Sequence, residues 1–92
     1  MRVENMRSAK GNKVANQFIV SCDNGDLFFQ SYASVIVKNS GGKTYLDESK
    51  YNYSRTTAKY RNLFLCESSQ EIEKKIKSGE YILTDLNEKR EA

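Results

Sequence analysis

The chain has 92 residues, 38% of them hydrophobic and 29% charged, with a net charge of +3, which is the size and composition of one domain with a thin core. It contains no run of about 18 apolar residues to span a membrane, and Met1–Lys13 lacks the apolar segment of a secretory signal, so a cytoplasmic protein without membrane contact is expected. Histidine is absent, which removes the commonest general base and the commonest transition-metal ligand together.

Residues 1–13 are polar, broken by Gly11, and read as a flexible basic arm or an edge strand. The domain proper is expected over 14–86. Phe18, Val20 and Cys22 alternate along a strand, and Asn24-Gly25 follows with the composition of a two-residue type I′ hairpin turn. That turn pairs Cys22 with Leu27, Val20 with Phe29 and Ile19 with Gln30. It predicts one apolar face made of Phe18, Val20, Cys22, Leu27 and Phe29. Phe28 and Tyr32 then fall on the second face, which must be covered by helices or exposed to a partner, with coverage the expectation. Val35-Ile36-Val37-Lys38 and Lys43–Asp47 form a second hairpin; turning about Ser40-Gly41 sets Ile36 opposite Tyr45 and Val35 opposite Leu46.

The period then changes to that of a helix. Ser54 is placed to cap a helix from Arg55 to about Cys66, with Tyr60, Leu63 and Phe64 inward and Arg55, Lys59 and Asn62 outward. Ser68 and Glu71 form a capping box for a second helix with Ile72 and Ile76 inward and Gly79 after its end. Glu71–Lys75 and Glu73–Lys77 have the spacing of supporting ion pairs. Glu80–Thr84 is a last strand, and 87–92 a polar tail. The order ββββααβ predicts an α+β fold with a mainly antiparallel sheet.

No catalytic constellation emerges. Cys22 and Cys66 have no CxxC partner and no base, and read as reduced thiols. Gly41-Gly42-Lys43-Thr44 has the end of a phosphate-binding loop without its first glycine, and a strand follows where a helix is required. No cofactor or metal is expected. The segment Tyr51–Asn62 stands out instead: three tyrosines, three hydroxyl residues and three basic residues in twelve positions, with no acid. Residues 1–15 carry +3 and residues 49–62 carry +4, so the positive charge is concentrated in two blocks. Tyr51, Tyr53, Arg55, Lys59, Arg61 and Asn62 are therefore the candidate binding residues, for a protein face or for single-stranded nucleic acid; the plain alternative is that Tyr53 and Tyr60 are core or rim aromatics and that Arg55 and Lys59 form a solvated face. Ser54, Thr56 and Thr57 beside Arg55 also suit a small anion.

The motifs Phe29-Gln30-Ser31-Tyr32-x-Ser34-x-Ile36 and Tyr51-x-Tyr53-Ser54-Arg55-Thr56-Thr57-x-Lys59-Tyr60-Arg61-Asn62-x-Phe64-Leu65 resemble those of a family of small uncharacterised phage and prophage proteins of Gram-positive hosts. The similarity spans about Asn16 to Leu86. Tyr51 stands where the family has a tryptophan before its tyrosine-serine pair, so the aromatic character is kept. The resemblance implies a phage accessory protein acting in the host cytosol. It transfers no active site. It implies a non-enzymatic protein that binds a host protein or complex, including a defence system such as a CRISPR effector; nucleic-acid binding is the alternative.

Overall fold

The computed structural model describes residues 1–8 and 10–87. Six strands, β1 (Arg2–Arg7), β2 (Lys13–Ser21), β3 (Leu27–Ser31), β4 (Ser34–Ser40), β5 (Lys43–Asp47) and β6 (Tyr81–Thr84), form one sheet in sequential order. Helices α1 (Arg55–Leu65) and α2 (Ser69–Ser78) lie between β5 and β6 in the chain. Neighbours from β1 to β5 are antiparallel, whereas β6 joins β5 in parallel. A parallel return needs a long crossover, which the two helices supply. The fold is thus the α+β class expected, with the N-terminal segment adding a strand at the edge. Asn87, the start of the polar tail, is fixed on β4: its carboxamide accepts from the Val35 N–H and donates to the Val35 carbonyl, both at 2.7 Å. Residues 88–92 of that tail lie outside the described residues.

The first hairpin differs from its expected register by one residue. The loop has three residues, Asp23–Gly25: Gly25 N–H donates to the Cys22 carbonyl at 3.0 Å, and Cys22 N–H to the Asp26 carbonyl at 2.9 Å. Gly25 takes positive φ (94°), but Asn24 does not. The Asn24 side chain instead accepts the Asp26 N–H at 3.0 Å, the local bond that makes asparagine a turn residue. This is a type I turn closed by a glycine bulge rather than a type I′ turn. It pairs Ser21 with Leu27, Val20 with Phe28 and Ile19 with Phe29. Because side chains alternate, the one-residue slip exchanges the faces of β2 relative to β3. Ile19 joins Phe29 on the core side, while Phe18 and Val20 join Phe28 on the other; Cys22 is half-buried outside the core.

The second hairpin turns at Gly41-Gly42, both at positive φ (58° and 78°), so Val37 rather than Val35 faces Leu46, and Lys38 rather than Ile36 faces Tyr45. Both glycines meet the φ requirement of a type I′ turn, and the Gly-Gly-Lys-Thr sequence is spent on it. A bulge at Phe29/Gln30 against β4 lets Ile36 and Val37 both become fully buried.

The core lies between one sheet face and the helices: Met6, Phe29, Ile36, Val37, Leu46, Tyr60 and Ile72, with Phe64, Leu65, Ile76 and Tyr81 packed around it. Phe29 and Phe64 stack at 5.9 Å. Polar groups are buried there too. Ser31 and Thr57 hydroxyls meet at 3.1 Å, joining β3 to α1. Gln17 is 1% exposed, and its carboxamide makes no hydrogen bond to the described residues. Among the described residues no helix is long and apolar enough to cross a membrane.

Candidate functional site

The Tyr51–Asn62 segment is positioned by two anchors. Asp47 is buried at the end of β5, and its carboxylate accepts the Ser49 and Lys50 amides (3.2 and 2.8 Å) and the Leu86 amide (2.8 Å). It therefore folds the turn leading into the segment and ties that turn to the chain after β6. The second anchor is Ser54, which caps α1: its hydroxyl accepts the Thr57 amide and donates to the Thr57 hydroxyl, each at 3.1 Å. Thr57 is fully buried toward Ser31. These two hydroxyls are consumed by capping and packing, which weakens the small-anion reading of the helix N-terminus.

The six sequence-chosen residues separate into two sets. Arg61 is only 1% exposed and is corrected from surface contact to structural staple. Its guanidinium donates to the Tyr51 carbonyl at 2.7 Å, to Asn62 Oδ1 at 2.8 and 3.1 Å, and to Ser69 Oγ at 3.1 Å. It also lies over the Tyr51 ring, 5.8 Å from the centroid. Tyr51 in turn donates its hydroxyl to Glu73 on α2 at 3.1 Å. Asn62 shares the Ser69 hydroxyl. Tyr51, Arg61 and Asn62 thus bind the β5–α1 loop, α1 and α2 into one unit. Burial pushes the Arg61 pKa down against the pull of Glu73 and Tyr51. Burial and the bond to Glu73 push the Tyr51 phenol up.

Tyr53, Arg55 and Lys59 form the second set, and all three are exposed. Lys50 sits over the Tyr53 ring at 4.9 Å. Lys59 opens onto a groove of about 680 Å³ that runs beside α1 to the β1–β2 turn, lined also by Arg7, Leu63, Cys66, Glu67 and Glu71. Leu63, expected inward, is 51% exposed. The buried stripe of α1 is Thr57, Tyr60, Arg61 and Phe64, the i, i+3, i+4, i+7 spacing of one helical face. An arginine in that stripe is the signal that sequence reading passed over, because charge argued for the surface before spacing was counted. The contribution of Arg7 comes from the hairpin at the N-terminus, which brings the first basic block beside the second. Among the described residues no group of three or more acidic, cysteine or histidine side chains is placed to hold a metal ion.

The chain belongs to a family of unknown function, DUF8033, whose model matches residues 1–80. Comparison with curated proteins and with solved structures finds no match.

Proposed function

We propose that this DUF8033 protein is a non-enzymatic binding protein that docks a partner protein on the α1 surface formed by Tyr53, Arg55, Lys59 and the adjoining groove. The observation that carries this is the composition of the groove. Exposed Leu63 provides an apolar floor, while Arg7 and Lys59 share the lining with Glu67 and Glu71. Its two cations are matched by two carboxylates, so it offers a polyanion no net attraction. A protein surface that presents an apolar side chain among charges of both signs is complementary to all of them. Tyr53 and Arg55 extend the surface with the residue types that dominate interface energetics. The motif resemblance to phage proteins supports a bacterial host protein as the partner, met in the host cytosol, with a defence complex such as a CRISPR effector as the specific class implied.

The test is affinity capture from a host lysate with the wild-type protein and with Leu63→Asp and Arg55→Glu/Lys59→Glu. These side chains are exposed, so each change is expected to shift stability by less than about 0.5 kcal/mol. A stoichiometric protein captured by wild type and lost with both variants, at unchanged melting temperature, is the expected result. Equal capture by wild type and variants, or no stoichiometric protein at all, overturns the reading.

A further inference from the structure

Both helices pack on the Phe29 side of the sheet, and no element among the described residues covers the other side. The strand register builds a continuous row across that open face. Val3 pairs with Val20, Val20 with Phe28, Phe28 with Lys38, Lys38 with Tyr45 and Tyr45 with Ile82. One cross-strand row thus spans all six strands, with Phe18 in the row beside it. Val3 is 57% exposed at one end and Ile82 36% at the other, and the residues between are half-buried by one another. An antiparallel sheet with one solvated face normally carries polar residues there. This one carries two aromatic rings with a single lysine between them: the Lys38 ammonium lies 5.8 Å from the Phe28 ring centre and 5.9 Å from that of Tyr45.

We propose that this open face binds single-stranded nucleic acid, with bases stacked on Phe28 and Tyr45 and a phosphate held by Lys38. The choice of occupant follows from charge. Lys43 shares the face by alternation, and the one carboxylate in strand positions there, Asp47, has its oxygens taken by the Ser49, Lys50 and Leu86 amides. A second copy of the chain, or an apolar peptide, would bury the Lys38 ammonium with no anion to meet it. A single strand brings both requirements together: planar bases for the rings and phosphates for the lysine. Phe28 and Tyr45 stand two strands apart, about 10 Å, so the backbone between two stacked bases passes Lys38. Stacking of bases on sheet-face aromatics is sequence-tolerant, because every base presents a π-face. The flexible lysine stem lets the ammonium move aside as a base arrives. This surface is opposite to the α1 groove, so it goes beyond the protein-docking reading and fails or stands independently of it.

The test is fluorescence anisotropy of the full chain with labelled thymidine and uridine homo-oligonucleotides, which separates DNA from RNA, over a salt series. Wild type should bind at low salt and weaken as salt rises. Tyr45→Ser should lose about tenfold in affinity, the scale of one stacked base, while Tyr45→Phe, which keeps the ring, should bind as wild type does. Lys38→Gln should weaken binding and lower the salt slope by about one charge. Lys74→Gln with Lys77→Gln, on the exposed side of α2, should leave affinity unchanged. Thermal melts confirm that each variant is folded. Absence of binding at low salt overturns the proposal, as does wild-type affinity in Tyr45→Ser. Loss in Arg55→Glu/Lys59→Glu without loss in Lys38→Gln puts the strand on the helix side and overturns it. A sedimentation dimer dissolved by Tyr45→Ser makes the face a self-interface and overturns it likewise.

Discussion

Phe28 and Phe29 are neighbours in β3, yet they occupy opposite worlds. Phe29 is 0% exposed, stacked on Phe64 beneath α1, while Phe28 looks out from the uncovered face beside Lys38. The covered face buries polar groups along with apolar ones beneath the helices, since Gln17, Ser31, Thr57 and Arg61 are all at 1% exposure or less. The open face leaves rings and a cation half-accessible. One face is therefore committed to stability, and the other is free to be shaped by what it meets. Truncation should expose the difference. Phe29→Ala should cost about 3–5 kcal/mol as a core cavity, a large part of the roughly 5–15 kcal/mol available to a domain. Phe28→Ala removes cross-strand contacts and should cost about 1 kcal/mol or less. Urea denaturation of both variants measures this directly; comparable losses would mean that the second face is covered after all.

The same contrast runs around α1. Arg61 and Arg55 share a chemistry and one helix but not a surface. Arg61→Ala leaves the Tyr51 carbonyl and Asn62 Oδ1 without their donor inside the structure, and leaves Ser69 Oγ with Asn62 alone. Hydrogen bonds to a charged group that are lost in this way should cost roughly 2–3 kcal/mol. Arg61→Lys should recover only part of it, because an ammonium cannot reproduce the planar fork that reaches three partners. Arg55→Ala should change stability by less than about 0.5 kcal/mol. Equal effects at 55 and 61 would contradict a helix phase that buries Arg61 and exposes Arg55.

What sequence reading recovered, and what it missed, follows from the range of the forces involved. Caps were legible, because Ser54, the Ser68–Glu71 box and Gly79 act within a turn of themselves. The α+β class was legible from the change of hydrophobic period. The first hairpin register was not. Asn24-Gly25 suits both a two-residue and a three-residue loop, and the choice depends on which residues the helices later bury. With Phe29 fixed inward against Phe64, the three-residue loop brings Ile19 to the core and turns Phe18 and Val20 out. The role of Arg61 was hidden for a related reason. Its partners Tyr51 and Ser69 lie ten and eight residues away, and only the packing of α2 on the loop brings them together. The open-face row was equally out of reach, since it exists only once five strand pairings are known. Lys75 shows the limit of helix spacing rules. It reaches Glu67 and Glu80 beyond the ends of α2 instead of Glu71 within it.

That Lys75 contact supplies the smallest test of the comparison, a pH effect confined to the covered side. Glu67 accepts hydrogen bonds from the Tyr81 hydroxyl and the Lys75 ammonium, and Lys75 lies 5.1 Å from the Tyr81 ring centre. Burial first, then the bond to Glu67, pushes the Tyr81 phenol from 10.0 up to about 12, with Lys75 opposing. The folded state thus favours the neutral phenol. Its contribution to stability is fully present below pH 10 and is lost as pH rises from 10 through about 12. The Lys75 ammonium is held protonated above its usual range, chiefly by its hydrogen bond to Glu67, and its contribution is lost in the same direction. The raised Tyr51 phenol acts likewise. Tyr81→Phe should therefore flatten, without abolishing, the alkaline fall in melting temperature between pH 10 and 12. Parallel alkaline profiles for Tyr81→Phe and wild type would show that the phenol is as solvated when folded as when unfolded, and that the edge of the core at β6 is open to water.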